Sequence, residues 1–140
     1  MKYTITHEAN PNSADVQILC DGITHEAINK KDLKPVSFFA FFIRDENEKI
    51  VGGCNGDILY GQLYVSQLWV DKKLRGQGYG TKLMQLAEEY AKKIEAKFMS
   101  VNTMNFEAPT FYKKLGYRVE FERHGFDKDS VFYFFRKDLK

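Results

Sequence analysis

Leu63-Tyr64-Val65-Ser66-Gln67-Leu68-Trp69-Val70-Asp71-Lys72-Lys73-Leu74-Arg75-Gly76-Gln77-Gly78-Tyr79-Gly80-Thr81 carries the pattern on which the fold turns. Leu63 and Val65 put apolar groups on odd positions, whereas Leu68 and Val70 put them on even ones. The alternation slips near Ser66-Gln67, which predicts a β-bulge there. The strand ends at Val70, and after a short basic turn three glycines at alternate positions open a helix. Glycine accepts backbone dihedrals closed to other residues and lets a ligand approach the main chain. Amides at a helix N-terminus make a concave row of donors on the positive end of the helix dipole. With Lys72, Lys73 and Arg75 beside it, this stretch reads as an anion-binding turn.

Glycine spacing separates the candidates. A phosphate loop of the Walker type needs Lys-Ser/Thr after its last glycine, whereas Gly80 is followed by Thr81-Lys82. A dinucleotide fingerprint needs G-x-G-x-x-G in a first strand–helix–strand unit; the sequence here is G-x-G-x-G and lies past mid-chain.

Thr81 to Ala96 is the strongest helix pattern, with Leu83, Leu86, Ala87, Tyr90, Ala91 and Ile94 on one face and Glu88/Lys92 and Glu89/Lys93 pairs on the other. Before it, Tyr3–Glu8 alternates like a first strand. Asn10-Pro11-Asn12-Ser13 is a turn able to cap a helix. Val16, Leu19, Cys20, Ile23 and Ala27 predict a buried stripe from Ser13 to about Asn29, which Gly22 weakens and could split. Phe38–Ile43 is a continuous apolar run, as expected of a strand covered on both faces. It turns through Arg44–Lys49 into a hairpin with Ile50-Val51, and Gly52-Gly53-Cys54-Asn55-Gly56 predicts a bulged or closely packed strand. Phe98–Thr103 reads as a strand, and Ala108–Leu115 as a short helix closed by Gly116. Tyr117–Glu122 and Val131–Arg136 follow as two antiparallel strands. The order β-α-β-β-β-α-β-α-β-β implies one parallel crossover in an otherwise antiparallel sheet, with helices on both faces.

The 140 residues make one domain, and 44% hydrophobic with 29% charged residues is ordinary for a globular protein. A net charge of +2 does not argue for nucleic acid or a membrane surface. No apolar run approaches transmembrane length, and the N-terminus lacks a signal-peptide core, so a cytoplasmic location is expected. Cys20 and Cys54 have no metal-type spacing and read as buried free thiols.

Two segments carry a resemblance. Arg75-Gly76-Gln77-Gly78-Tyr79-Gly80 resembles the R/Q-x-x-G-x-G/A signature of GNAT-type acyl-CoA-dependent N-acyltransferases. Asn105-Phe106-Glu107-Ala108-Pro109-Thr110-Phe111-Tyr112-Lys113-Lys114-Leu115-Gly116-Tyr117 resembles the N-x-x-A-x-x-F-Y-x-x-x-G-F/Y segment of many of its members, matching at Asn105, Ala108, Phe111, Tyr112, Gly116 and Tyr117. The resemblance covers roughly Val65 to Tyr117 well, and the N-terminal half only in element order. It implies a single α/β (α+β) domain, a mixed and mostly antiparallel sheet of about seven strands with a central bulged strand.

It also implies direct acetyl transfer from acetyl-CoA, without a metal, to a primary amine; because the chain has little beyond the cofactor-binding core, a small molecule is slightly favoured over a protein N-terminus or lysine. The pantetheine arm would run along Leu68, Trp69 and Val70. The pyrophosphate would sit on the amides of Gln77 to Thr81, with Arg75 and Gly76 beside them, and Ala108 and Phe111 would close the site. Asn105 would hold the pantetheine or acyl end, or cap the short helix. Tyr112 stands where the family places its general acid. No carboxylate lies on Leu63–Val70, so the base stays open among Glu26, Asp57, Glu107, His124 and a water relayed through Ser66 or Gln67. His25 and His124 read as surface histidines, and Tyr64 and Trp69 could line the acceptor pocket or simply pack. A non-catalytic acyl-CoA-binding module and, more remotely, a nucleotide-binding module are the other readings. Val131-Phe132-Tyr133-Phe134-Phe135 offers a strand through which two copies could pair.

Overall fold

The computed structural model describes residues 2–139. The chain divides into two compact units, Met1–Val36 and Ser37–Lys140. The first unit holds one helix, α1 (Ser13–Lys31), which Gly22 does not interrupt. The Asn12 side chain accepts the Ala14 N–H at 2.8 Å, the expected N-cap. One expectation fails in this unit: no strand forms over 3–8. Along α1 the apolar residues Val16, Ile18, Leu19, Ile23 and Ile28 spread around the helix instead of converging on one side.

The second unit is a six-stranded mixed sheet in the order β1-β2-β3-β4-β6-β5, one strand short of the expected number. Its strands are β1 (Ser37–Arg44), β2 (Ile50–Leu59), β3 (Gln62–Val70), β4 (Phe98–Met104), β5 (Arg118–Arg123) and β6 (Phe132–Asp138). Helix α2 (Tyr79–Lys93) connects β3 to β4, and α3 (Pro109–Lys114) follows β4. Only β3 and β4 are parallel; every other pair is antiparallel, as anticipated.

Core residues lie on one face of the sheet. Leu63 and Val65 of β3, Met99 and Val101 of β4 and Phe135 of β6 pack with Leu83, Met84, Ala87 and Ala91 of α2 and with Tyr112 of α3. Within this unit both helices therefore cover the same face. The other face carries Gln62, Tyr64, Ser100 and Asn102, joined by Ser100–Gln62 and Asn102–Tyr64 hydrogen bonds at 2.7 and 3.2 Å. Within this unit strand β1 is likewise packed on one side only. Phe39, Phe41 and Ile43 pack on the core, while Phe38 and Phe42 are exposed. An unbroken apolar run does not distinguish a strand buried on both faces from one whose outer face stays open.

The bulge is where the slip in alternation places it. Asn55 pairs with Gln67 and Gly56 with Val65, so Ser66 is the extra residue. Gly56 is required opposite it, since a Cβ there would lie 1.7 Å from the Tyr64 carbonyl oxygen. The β3–β4 pairing runs only from Gln62–Val65 to Phe98–Val101. Beyond it, β3 continues against β2 and β4 continues against β6. The two strands splay apart, which positions the site.

Candidate active site

The splay opens a cleft between the distal halves of β3 and β4, lined by Tyr64, Ser66, Gln67, Leu68 and Trp69 on one side. Asn102, Thr103, Glu107, Ala108 and Tyr112 face them from the other. With no neighbouring strand there, alternate N–H and C=O groups of β3 beyond Ser66 face the cleft instead of a ladder partner. A second groove, lined by Leu68, Val70, Arg75, Gly76, Gly78, Tyr79, Gly80, Thr81, Ala108 and Phe111, adjoins it at Leu68 and Ala108.

The glycine turn is built to leave amides free. Asp71 accepts the Lys73 N–H at 3.1 Å, and Arg75 Nε donates to the Val70 carbonyl at 2.9 Å, tying the turn to the end of β3. Gly76 and Gly78 take φ of 75° and 86°, left-handed conformations costly for any residue with a Cβ. Gly78 is the N-cap of α2 and provides no side-chain acceptor. The first bond of the helix runs from Lys82 N–H to the Gly78 carbonyl at 2.9 Å. The amides of Tyr79, Gly80 and Thr81 therefore have no acceptor within the helix. Packing does not demand glycine at position 80, where a Cβ would make an ordinary 3.4 Å contact with the Phe111 ring.

Tyr112 is held by the way α3 ends. Gly116 (φ 96°) lets its own N–H reach the Lys113 carbonyl at 3.0 Å, while the Tyr117 N–H reaches the Tyr112 carbonyl at 3.1 Å, a Schellman closure. The accompanying apolar contact is Tyr112 on Tyr117, ring centroids 6.0 Å apart. Phe135 and Phe111 flank the same ring at 6.0 and 5.1 Å. Burial first, and then the Glu107 and Cys54 charges, push the Tyr112 phenol up to about 12. It is neutral at ordinary pH and can donate a hydrogen bond, and among the described residues its hydroxyl has no hydrogen-bond partner.

Not every residue of the expected set converges. Asn105 lines neither cavity. Its Oδ1 accepts the Val131 N–H at 3.0 Å, so it ties the loop after β4 to the start of β6; Thr103 Oγ1, not Asn105, accepts the Ala108 N–H before α3, at 3.3 Å. Gln77 turns its side chain back to the Lys73 carbonyl at 3.2 Å. Trp69 lies in the cleft and away from the glycine-turn groove. Of the candidate bases, Glu107 is the one carboxylate lining the cleft, where its Oε1 accepts the Met104 N–H at 2.9 Å. Asp57 sits across from Tyr64 on the outer face, its carboxyl raised by burial. His124 is exposed, 3.9 Å from Glu122, and Glu26 pairs with Lys30 on α1. Asn102 is a cleft residue that the sequence reading missed, since nothing in Phe98–Thr103 distinguishes it from an ordinary strand polar. Among the described residues no three His, Cys, Asp or Glu side chains converge as a metal site, and no helix is long and apolar enough to cross a membrane.

The comparisons agree with this geometry. A crystal structure of an acetyltransferase from Bacillus cereus superimposes with a TM-score of 0.77 at 28% identity, over 96% of this chain and 98% of that one. Among sequences, the chain is 35% identical over 89 residues to the blasticidin-S acetyltransferase of Streptomyces morookaense, and 37% identical over 75 residues to acetyltransferase Atu2258 of Agrobacterium fabrum. Those matches take in 63% and 54% of this chain, and span 65% and 55% of the relatives' lengths. A Bacillus anthracis protein described as a streptothricin acetyltransferase, solved with acetyl coenzyme A, shares the fold at a TM-score of 0.66 and 22% identity, over 83% of this chain and 68% of that one. Residues 8–117 match the model of the acetyltransferase (GNAT) family, and with the split sheet, the uncapped glycine turn and the buried tyrosine already in place, the chain belongs to that family.

Proposed function

We propose that this protein transfers an acetyl group from acetyl-CoA directly to a primary amine of a small molecule. The observation that carries the reading is the junction at Leu68 and Ala108. There the groove over the glycine turn meets the cleft that holds Tyr112. The free amides of Tyr79 to Thr81, with Arg75 beside them, suit a pyrophosphate. The unladdered backbone of Leu68–Val70 suits an extended amide-bearing arm added as a strand, and an N–H of the same segment would face the thioester oxygen as it gains charge.

In the reaction the amine nitrogen bonds to the acetyl carbon, the carbon–sulfur bond breaks, and the proton lost by nitrogen balances the one taken up by the thiolate. A phenol at about 12 holds its proton far more tightly than a thiol near 8.5 does. Tyr112 accordingly stabilises the departing sulfur mainly by donating a hydrogen bond, with the proton arriving from the amine side. Glu107, which lines the cleft, would attract the ammonium form and accept that proton, directly or through water. A small acceptor is supported by the similarity to an enzyme named for blasticidin-S.

The test is thermal unfolding with acetyl-CoA, CoA and ATP. A ligand at roughly 100 times its dissociation constant adds about 2.7 kcal/mol, several degrees for a domain of this size. CoA compounds alone should shift the transition, Gly78→Val should remove the shift, and amines should release thiol. Equal shifts with ATP, or none with any ligand, would overturn the reading. CoA binding without thiol release from any amine would leave an acyl-CoA-binding module.

A further inference from the structure

Beyond Gln67 and Trp69, which line the cleft, a third cavity of about 380 Å³ continues onto the outer face of β1 and β2. Its construction follows from register. Phe42, Gly53 and Trp69 stand side by side across three strands, and Ala40, Asn55 and Gln67 form the next row. Ala40 and Gly53 make a low floor. Phe38 and Phe42 rise on either side of Ala40, and Trp69 stands over the end nearest the cleft. These three rings are 59%, 53% and 53% exposed, an unusual outlay of aromatic surface beside a polar cleft. Gly53 cannot be larger, since a Cβ there would lie 2.4 Å from the Phe41 carbonyl oxygen. Within this apolar trough stand two carboxamides, Asn55 and Gln67, directly opposed in register. Among the described residues neither side chain has a hydrogen-bond partner.

We infer that this trough is the acceptor subsite and that it takes an aryl or heteroaryl amine. The flat ring lies over Ala40 and Gly53 between the aromatic walls, and a hydrogen-bonding ring substituent meets Asn55 and Gln67. A short tether carries the amine past Trp69 into the cleft, toward Tyr112. Aromatic walls favour a planar ring over a puckered ring of equal size. Carboxamides offer both a donor and an acceptor, so they select an amide-like or ring-nitrogen substituent over a plain hydrocarbon. The trough is continuous with the cleft through Gln67 and Trp69, which sets the direction in which the amine points. The inference rests on the acyl-transfer reading for the role of that amine, and on the trough alone for the ring.

Trp69 is the single tryptophan of the chain, so binding can be read without turnover. Its fluorescence would be titrated with 4-(2-aminoethyl)benzamide, 2-phenylethylamine, 2-cyclohexylethylamine and 1,4-diaminobutane. The expected order of affinity is the order given, with the first at least about tenfold tighter than the last two. Phe38→Ala and Phe42→Ala, both at exposed positions, should each weaken the aryl amines about tenfold in Kd and raise their KM more than they lower kcat, with acetyl-CoA affinity unchanged. Equal affinity for all four amines, or aryl binding indifferent to both variants, would overturn the inference. A doubled mass in light scattering that Phe42→Ala reduces to a monomer would also overturn it, by giving the trough to a second copy. Aryl binding at Trp69 without acetylation of any amine would sustain the trough and sink the acyl-transfer reading. Acetylation that ignores the ring and both phenylalanines would do the reverse.

Discussion

The two halves of β3 are the same strand under opposite conditions. From Gln62 to Val65 it is paired on both sides, and Leu63 and Val65 are fully buried. From Gln67 to Val70 it is paired with β2 alone, and Trp69 is half open to solvent. A single inserted residue, Ser66, separates them. The first half secures the fold, while the second leaves backbone groups free for a ligand; one strand serves both roles because a bulge changes its direction and its phase together.

That contrast can be broken most severely by deleting Ser66. Without the extra residue Leu63, Val65, Leu68 and Val70 alternate regularly on the core face and every pairing with β2 is kept, so β3 straightens and loses the bend that turns its distal half away from β4. Complete loss of the acetyl-CoA-induced thermal shift is expected, with a far-UV spectrum that stays folded; a retained shift would dismiss the bulge as the organiser. In the paired half, Leu63→Ala should cost about 3 kcal/mol in denaturant unfolding, the usual range for a fully buried leucine. In the chemistry itself, Tyr112→Phe should lower kcat about 100-fold while the KM for acetyl-CoA changes less than about twofold. A fully active variant would strip Tyr112 of its role.

A smaller effect should appear in alkali. Cys54, raised to about 11 by burial, and Tyr112, raised to about 12, both hold their protons more tightly folded than unfolded. Their stabilising contribution is complete below their ordinary values of 9.0 and 10.0 and is lost as pH rises through the folded ones. The melting temperature should therefore fall between about pH 9 and pH 12, and Tyr112→Phe should flatten the upper part of that fall. The smallest change is Trp69→Ala, which should cost less than about 1 kcal/mol of stability because the ring is exposed. If it cost as much as Leu63→Ala, the two halves of β3 would not differ as described.

Much of this was legible in residue order. The slip from Val65 to Leu68 placed the bulge, the glycine spacing placed the turn, and Gly116 after a short apolar helix placed the closure that holds Tyr112. Each is a local pattern whose cause lies within a few residues. The alternation of Tyr3–Glu8 was misleading, because a strand exists only when another pairs with it. The hydrogen bond of Asn105 was illegible for a related reason: its partner, Val131, is remote in sequence.

By itself, then, the sequence determined the turn chemistry, the bulge, the long helix α2 and the family. Tertiary structure decided which face of β1 stays open, which carboxylate reaches the cleft, and that Phe38, Phe42 and Trp69 share one trough. Dihedral preference, capping and side-chain phase act between near neighbours. Register and burial depend on which distant strands meet, and no single segment records that.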